Sequence, residues 1–181
     1  SLLWRLFLCL KVIINLNPNE FAPYYVDYIK LVPEQDIVKG LTNQNEELIH
    51  FFTSIPVFKH EFCYEEGKWT VKDIILHLID AERILSYRAL RIARNDKTAL
   101  PGFEENDYVV SARANERDFE SLLTEYKTVR QATISLFESF SKEDLQQLGL
   151  ASNYSVSVRG IGYIILGHEL HHKEIILERY L

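Results

Sequence analysis

Apolar residues recur at helical spacing along most of the chain, and strand-like alternation is nowhere sustained. Pro18 and Pro23 bracket an irregular entry segment. Pro33, followed by Glu34 to Asp36, then predicts the start of a first long helix that reaches about Ser54 and stops at Pro56. After a connection holding Tyr64, Gly67 and Trp69, Thr70 and Asp73 form an S/T-x-x-D capping pattern ahead of an apolar periodic run. This second helix extends to about Asn95. Pro101 and Gly102 open a loop through Tyr108, and a third helix covers about Asn115 to Phe140, with Leu122, Leu123, Tyr126, Val129, Thr133, Leu136 and Phe137 on its core face. Ser141 with Asp144 caps a short helix, Gly149 to Ser155 reads as a loop, and a last helix runs from about Ser157 to the C-terminus. Four long helices predict an all-α four-helix bundle.

Composition narrows this reading. The chain has 181 residues, 47% of them hydrophobic, which is enough for one domain with a real core. Twenty Lys and Arg against 26 Asp and Glu give a net charge of −6, and no basic cluster is denser than Arg88, Arg91 and Arg94. Those three read as a solvated helix face, so no nucleic acid is expected as a partner. Cys9 and Cys63 are far apart, which implies neither a disulfide framework nor a thiolate zinc site and points to a reducing, cytoplasmic setting. Leu2 to Ile14 is apolar apart from Arg5 and Lys11, too short and interrupted for a spanning helix of about 20 apolar residues. No small-x-small cleavage site follows it, and Met is absent altogether. Residues 1–20 are therefore set apart as a segment that is either a helix or an artefact, with a bundle domain over 21–181 and no membrane partner.

The chemistry is concentrated in Gly167-His168-Glu169-Leu170-His171-His172. His168 and His172 lie one turn apart on one helical face, the spacing that lets two imidazoles meet one metal ion. Ile161, Ile164, Ile165 and Ile175 surround them on the wheel, so the pair falls in the apolar stripe, where imidazoles are costly unless bonded. The literal H-E-x-x-H string evokes a zinc protease with Glu169 as base, but its context fails. Ile175 and Glu178 stand where the extended motif needs Gly and His, and the third ligand must come from upstream. His50 and His60 lie near the end of the first helix. His77 sits on the capped second helix, at the edge of the Ile74, Ala81, Leu85, Ile92 stripe with Asp73 and Asp80 beside it, and is the better ligand.

The run from Trp69 to Arg83, followed far downstream by Gly167 to His172, resembles the DinB-like (DinB/YfiT) superfamily of metal-binding four-helix proteins over roughly residues 21–181. The segment Pro101 to Tyr108 and the Ser157-Val158-Arg159 entry to the last helix carry the resemblance further. It implies an up-down-down-up bundle with a short extra helix and a divalent metal held by His77, His168 and His172. Some members transfer or isomerise substrates with low-molecular-weight thiols such as bacillithiol or mycothiol, which implies a metal-dependent thiol S-transferase acting on a small molecule. Three imidazoles leave an open coordination position, so a metal-dependent hydrolase with Glu169 or Asp80 as proton carrier is the alternative. A non-enzymatic, stress-associated metal-binding protein is a third reading. Zinc suits the ligands best and nickel would also bind.

Around this site, His171 and Asp80 are candidates to orient a ligand, and Phe103 and Tyr108 to cover the metal mouth; Trp69 and Tyr64 read as packing and Cys63 as an inert small hydrophobe. Free imidazole titrates at about 6.5, so metal binding is expected to weaken below that pH. On the final helix Tyr163, Leu166, Leu170 and Leu177 fall about 160 to 220° from His168, a second apolar stripe. Its cover is expected to be a second subunit, giving a homodimer, or else the segment Leu2 to Ile14.

Overall fold

Helix starts along this chain are set by side chains that close on backbone N–H groups. The computed structural model describes residues 16–181, so the apolar run 2–14 and Cys9 lie outside the described residues. After a 3-10 turn at Pro23–Tyr25 come α1 (Val26–Ile29), α2 (Ile37–Ser54), α3 (Val71–Ala93), α4 (Glu105–Ala112), α5 (Phe119–Glu138) and α6 (Lys142–Gln146). A hairpin of β1 (Leu148–Ala151) and β2 (Tyr154–Ser157) follows, then α7 (Val158–Arg179). Asp36 caps α2 by accepting from Lys39 N, Ser157 caps α7 by accepting from Gly160 N, and reciprocal capping boxes open α3 (Thr70 with Asp73) and α6 (Ser141 with Asp144).

The four long helices form a bundle in which α3 packs on α5 and α7, and α2 packs on the same two helices. Consecutive helices α2 and α3 thus share both neighbours. Their core is split into two apolar clusters. One holds Leu41, Leu85, Ile92, Ile134, Phe137, Ile161 and Ile164; the other holds Leu48, Phe52, Ile75, Ile79, Leu122, Leu123 and Ile176. On each helix a buried polar residue falls between the two: Gln44 on α2, Glu82 on α3, Arg130 on α5 and Glu169 on α7. Burying each Leu, Ile or Phe contributes about 1.5–3 kcal/mol, whereas the polar belt costs free energy unless its members pair.

Three expectations are corrected. The stretch from Pro101 is loop only to Glu104, because α4 follows, started by the Glu104 side chain accepting from Asn106 N. α4 buries Val109 alone, so it has no apolar period to read. Gly149 to Ser155 is not a loop but most of a four-residue-a-side hairpin, pairing Leu148 with Ser157 through Ala151 with Tyr154. Its turn residues Ser152 and Asn153 both take positive φ, at 50° and 67°, as a two-residue primed turn requires. Arg88 is not solvated. It is buried and donates to the Pro101 carbonyl at 2.7 Å and to Ser152 Oγ at 3.1 Å, tying the loop and the hairpin to α3.

The second stripe of α7 is covered from within at Tyr163 and Leu166. Leu166 is fully buried against Gly40 of α2, where a side-chain Cβ would come within 3.0 Å of it, and the Tyr163 hydroxyl donates to the Gln35 carbonyl. Leu170 is half-buried and Leu177 exposed, so this cover stops short of the end of the stripe, and the segment Leu2 to Ile14 lies outside the described residues. Among the described residues, no helix is long and apolar enough to cross a membrane.

Candidate metal centre

At the level of the polar belt, α3 and α7 bring His77, His168 and His172 together. Nε2 of His168 lies 3.0 Å from Nε2 of His77 and 3.1 Å from Nε2 of His172. The rings stand nearly edge to face, with centroids 4.7 to 5.0 Å apart and interplanar angles of 67° to 86°. All three are buried.

Burial disfavours the charged imidazolium throughout. It pulls His77 down to about 4 and, together with the neighbouring His77 and His171, pulls His172 down to about 3. His168 is pulled well below its ordinary value by burial first and by His172, His77 and His171 next. Three neutral imidazoles converging through Nε2 are the donor set of a borderline divalent cation with an open position, and the residues fit such an ion. The buried Nδ1 of His172 has no protein partner.

Aromatic rings wall the centre. Trp69, just before the cap of α3, lies 4.7 Å from His77 and stacks on His172 at 6.3 Å and 18°. Tyr28 of α1 lies 5.5 Å from His168 and 4.7 Å from His171. This approach depends on Gly167, because a Cβ there would stand 2.1 Å from the Tyr28 carbonyl oxygen. A cavity of about 290 Å³ adjoins His172, and a narrow recess under α4 is lined by His77, Asp80, Phe103 and Tyr108.

The other predicted site residues divide. Asp80 lines that recess, its carboxyl raised by burial against the opposing charge of Arg83. Glu169 is engaged by three side chains: Tyr126 donates to Oε1, Arg130 to both oxygens, and Gln44 to Oε2. A carboxylate held by so many donors is part of the packing of the belt. Burial raises its pKa, with Arg130 opposing. His171 is half-buried on Tyr28, His60 stacks on Phe119 at 3.6 Å, His50 is exposed, and Cys63 is a half-buried free thiol. Sequence reasoning missed Arg130 and Glu82, which are joined through Arg130 Nε and Nη2 at 2.8 to 3.2 Å. The signal was present, since Arg130 follows Tyr126 by one turn on the core face of α5, and Glu82 falls between Leu78 and Leu85.

Fold and site together define a helical bundle built around a three-histidine centre. The chain matches the model of the DinB superfamily over residues 41–176 and belongs to that superfamily. It is similar, at 36% identity over 87 residues, to a Geobacillus thermodenitrificans (strain NG80-2) protein that carries the provisional name metal-dependent hydrolase. That match spans 47% of this chain and 48% of the relative, so the chain covers about half the relative's length. Its fold is similar to YfiT from Bacillus subtilis, described as a probable metal-dependent hydrolase with an unusual four-helix bundle topology. That likeness has a TM-score of 0.67 with 91% of each chain covered, and at 12% identity it shows the fold alone.

Proposed function

We propose that the protein is a metal-dependent hydrolase of small molecules, with His77, His168 and His172 as ligands of a divalent metal. The convergence of three buried, neutral imidazole nitrogens carries this reading. When bound there, a divalent ion supplies a Lewis acid that polarises a carbonyl or phosphoryl oxygen and lowers the pKa of water. The chain's own groups do the rest. Burial keeps the three histidines unprotonated and available near neutral pH. Trp69 and Tyr28 shield two sides of the centre from bulk water. Asp80, in the recess shared with His77, is the carboxylate left to take up a proton, because Glu169 is committed to Arg130.

Thiol transfer would use the same open position, and no described residue selects a thiol over water. The name carried by the Geobacillus relative supports water as the nucleophile. Zinc is the metal favoured by the ligands. The test is elemental analysis of protein purified without a nickel column, followed by parallel assays of ester and amide hydrolysis and of thiol conjugation. Hydrolysis that needs the metal and is lowered in Asp80→Asn supports the proposal; conjugation without hydrolysis overturns it.

A further inference from the structure

The 290 Å³ cavity beside His172 is at the lower end of the sizes that hold small organic ligands. Three aromatic rings, Tyr64, Trp69 and Tyr180, stand in its walls. Tyr64 and Tyr180 meet edge to face at 5.2 Å, and the Tyr180 hydroxyl donates to the Trp69 carbonyl at 2.6 Å. That phenol is therefore satisfied inside the protein and offers the cavity its ring. Trp69, parallel to His172, forms a flat wall running from the cavity to the metal centre. A planar ligand gains most from such surfaces through offset or edge contacts.

Polar groups on the same wall set the other half of the ligand. Lys68, an exposed residue, lines the cavity and takes part in none of the ion pairs found among the described residues. Asn106, in the first turn of α4, adds an amide from the opposite element. His172 lines the cavity with its buried ring, Nε2 turned to the other histidines.

We infer that this cavity binds a small organic anion with a planar ring, its ring against Trp69 and the two tyrosines and its anionic oxygens toward Lys68. The inference names a substrate class for the centre and rests on the metal reading above. Glu65 and Glu66, nearby in sequence, do not line the cavity, whereas Lys68, exposed like them, does.

The test uses the full chain carrying Trp4→Phe, so that Trp69 is the one reporter of the chain's two tryptophans. Metal-loaded protein is titrated at pH 7 with hippurate, a benzoyl ring joined to a carboxylate, and with hippuramide, its uncharged amide, while metal content is measured on the same samples. The expected result is saturable quenching by hippurate, about tenfold weaker binding of hippuramide, and a loss of that difference in Lys68→Gln with metal content unchanged. Equal affinity for the two probes, a hippurate affinity indifferent to Lys68→Gln, or no saturable signal from metal-loaded protein overturns the inference. Charge-selective hippurate binding by protein that holds no metal supports the cavity and overturns the metal reading alone.

Discussion

Nη2 of Arg130 stands 2.9 Å from Oε1 of Glu169, the residue that follows His168, and 2.8 Å from Oε2 of Glu82 on α3. One guanidinium thus joins the two helices that carry the histidines, at the level where the histidines meet. Gln44 adds α2 by donating to Glu169 Oε2 and to the Leu166 carbonyl, both at 3.2 Å. Arg130 has only 1% of its surface exposed, so its charge is compensated by these carboxylates and not by water.

Removing the arginine leaves two buried carboxylates facing each other. Arg130→Met is expected to lower stability by about 3–5 kcal/mol, the loss typical of breaking a buried ionic pair by deleting one partner. Adding Glu82→Gln and Glu169→Gln to it should recover most of that loss. Urea unfolding measures both, and a loss under about 1 kcal/mol in Arg130→Met would show that the belt is not an ionic lock.

His168 makes both short imidazole contacts, so His168→Ala should abolish stoichiometric metal by elemental analysis. Glu169→Gln, on the neighbouring residue, should keep its metal and lose about 1–3 kcal/mol of stability through the belt. Full occupancy in His168→Ala would remove the site.

Burial changes the pH behaviour expected from free imidazole, which would have metal binding weaken near pH 6.5. His77 is held at about 4 and His172 at about 3, both depressed, so their neutral, ligating forms persist far into acid. Protons compete only as pH falls through about 4. Metal affinity is therefore expected to be level from pH 8 to about 5 and to fall below about 4, in metal-buffered titrations corrected for the chelator's own protonation. A tenfold decline per pH unit already at pH 6.5 would contradict a buried site.

How much of this was legible follows from what the sequence encodes locally. The four long helices could be read from their apolar periods, and the caps of α3 and the short α6 from Thr70 with Asp73 and Ser141 with Asp144. The histidine trio was reached partly by spacing, since positions 168 and 172 share a face whatever the tertiary structure, while His77 needed the resemblance or an argument from position. Other features resisted because their cause lies between elements. Glu169 reads from sequence as a carboxylate beside two ligands, and only the packing of α5 reveals Arg130 waiting for it. The hairpin escaped because four-residue strands are too short to display alternation, and Arg88 because its partners, Pro101 and Ser152, are supplied by distant segments.

A second carboxylate links acid stability to the start of α7. Glu20 accepts from Arg159 Nε and Nη2, both at 2.6 Å, from Ser157 Oγ at 2.8 Å and from Asn17 N at 2.8 Å. Burial alone would raise its pKa; the Arg159 guanidinium, then the Asn17 N–H and the Ser157 hydroxyl, outweigh that and hold it at about 2 against an ordinary 4.5. The folded value is the lower one, so this contribution is present in full above about pH 4.5 and is lost as pH falls toward 2. Glu20→Gln should cost about 2–3 kcal/mol at pH 7 and flatten the acid limb of stability between those pH values. An unchanged acid limb in the variant, followed by circular dichroism, would mean that other groups govern it.

The last prediction concerns the residue immediately before His168. At Gly167 the backbone of α1 crosses α7 so closely that a Cβ would stand 2.1 Å from the Tyr28 carbonyl oxygen and 2.4 Å from its carbon. Backbone cannot swing aside as a flexible side chain does, so Gly167→Ala must push α1 away from α7. Alanine would otherwise favour the helix by about 1 kcal/mol, which makes the sign of the outcome diagnostic. A net loss of about 2 kcal/mol or more is expected in urea unfolding, with faster amide exchange over residues 26–32. Because Tyr28 packs on both His168 and His171, its withdrawal should also expose His171 to modification by diethyl pyrocarbonate. A stabilised Gly167→Ala variant with unchanged exchange in α1 would show that the crossing is looser than this geometry, and that Tyr28 is not a fixed wall of the centre.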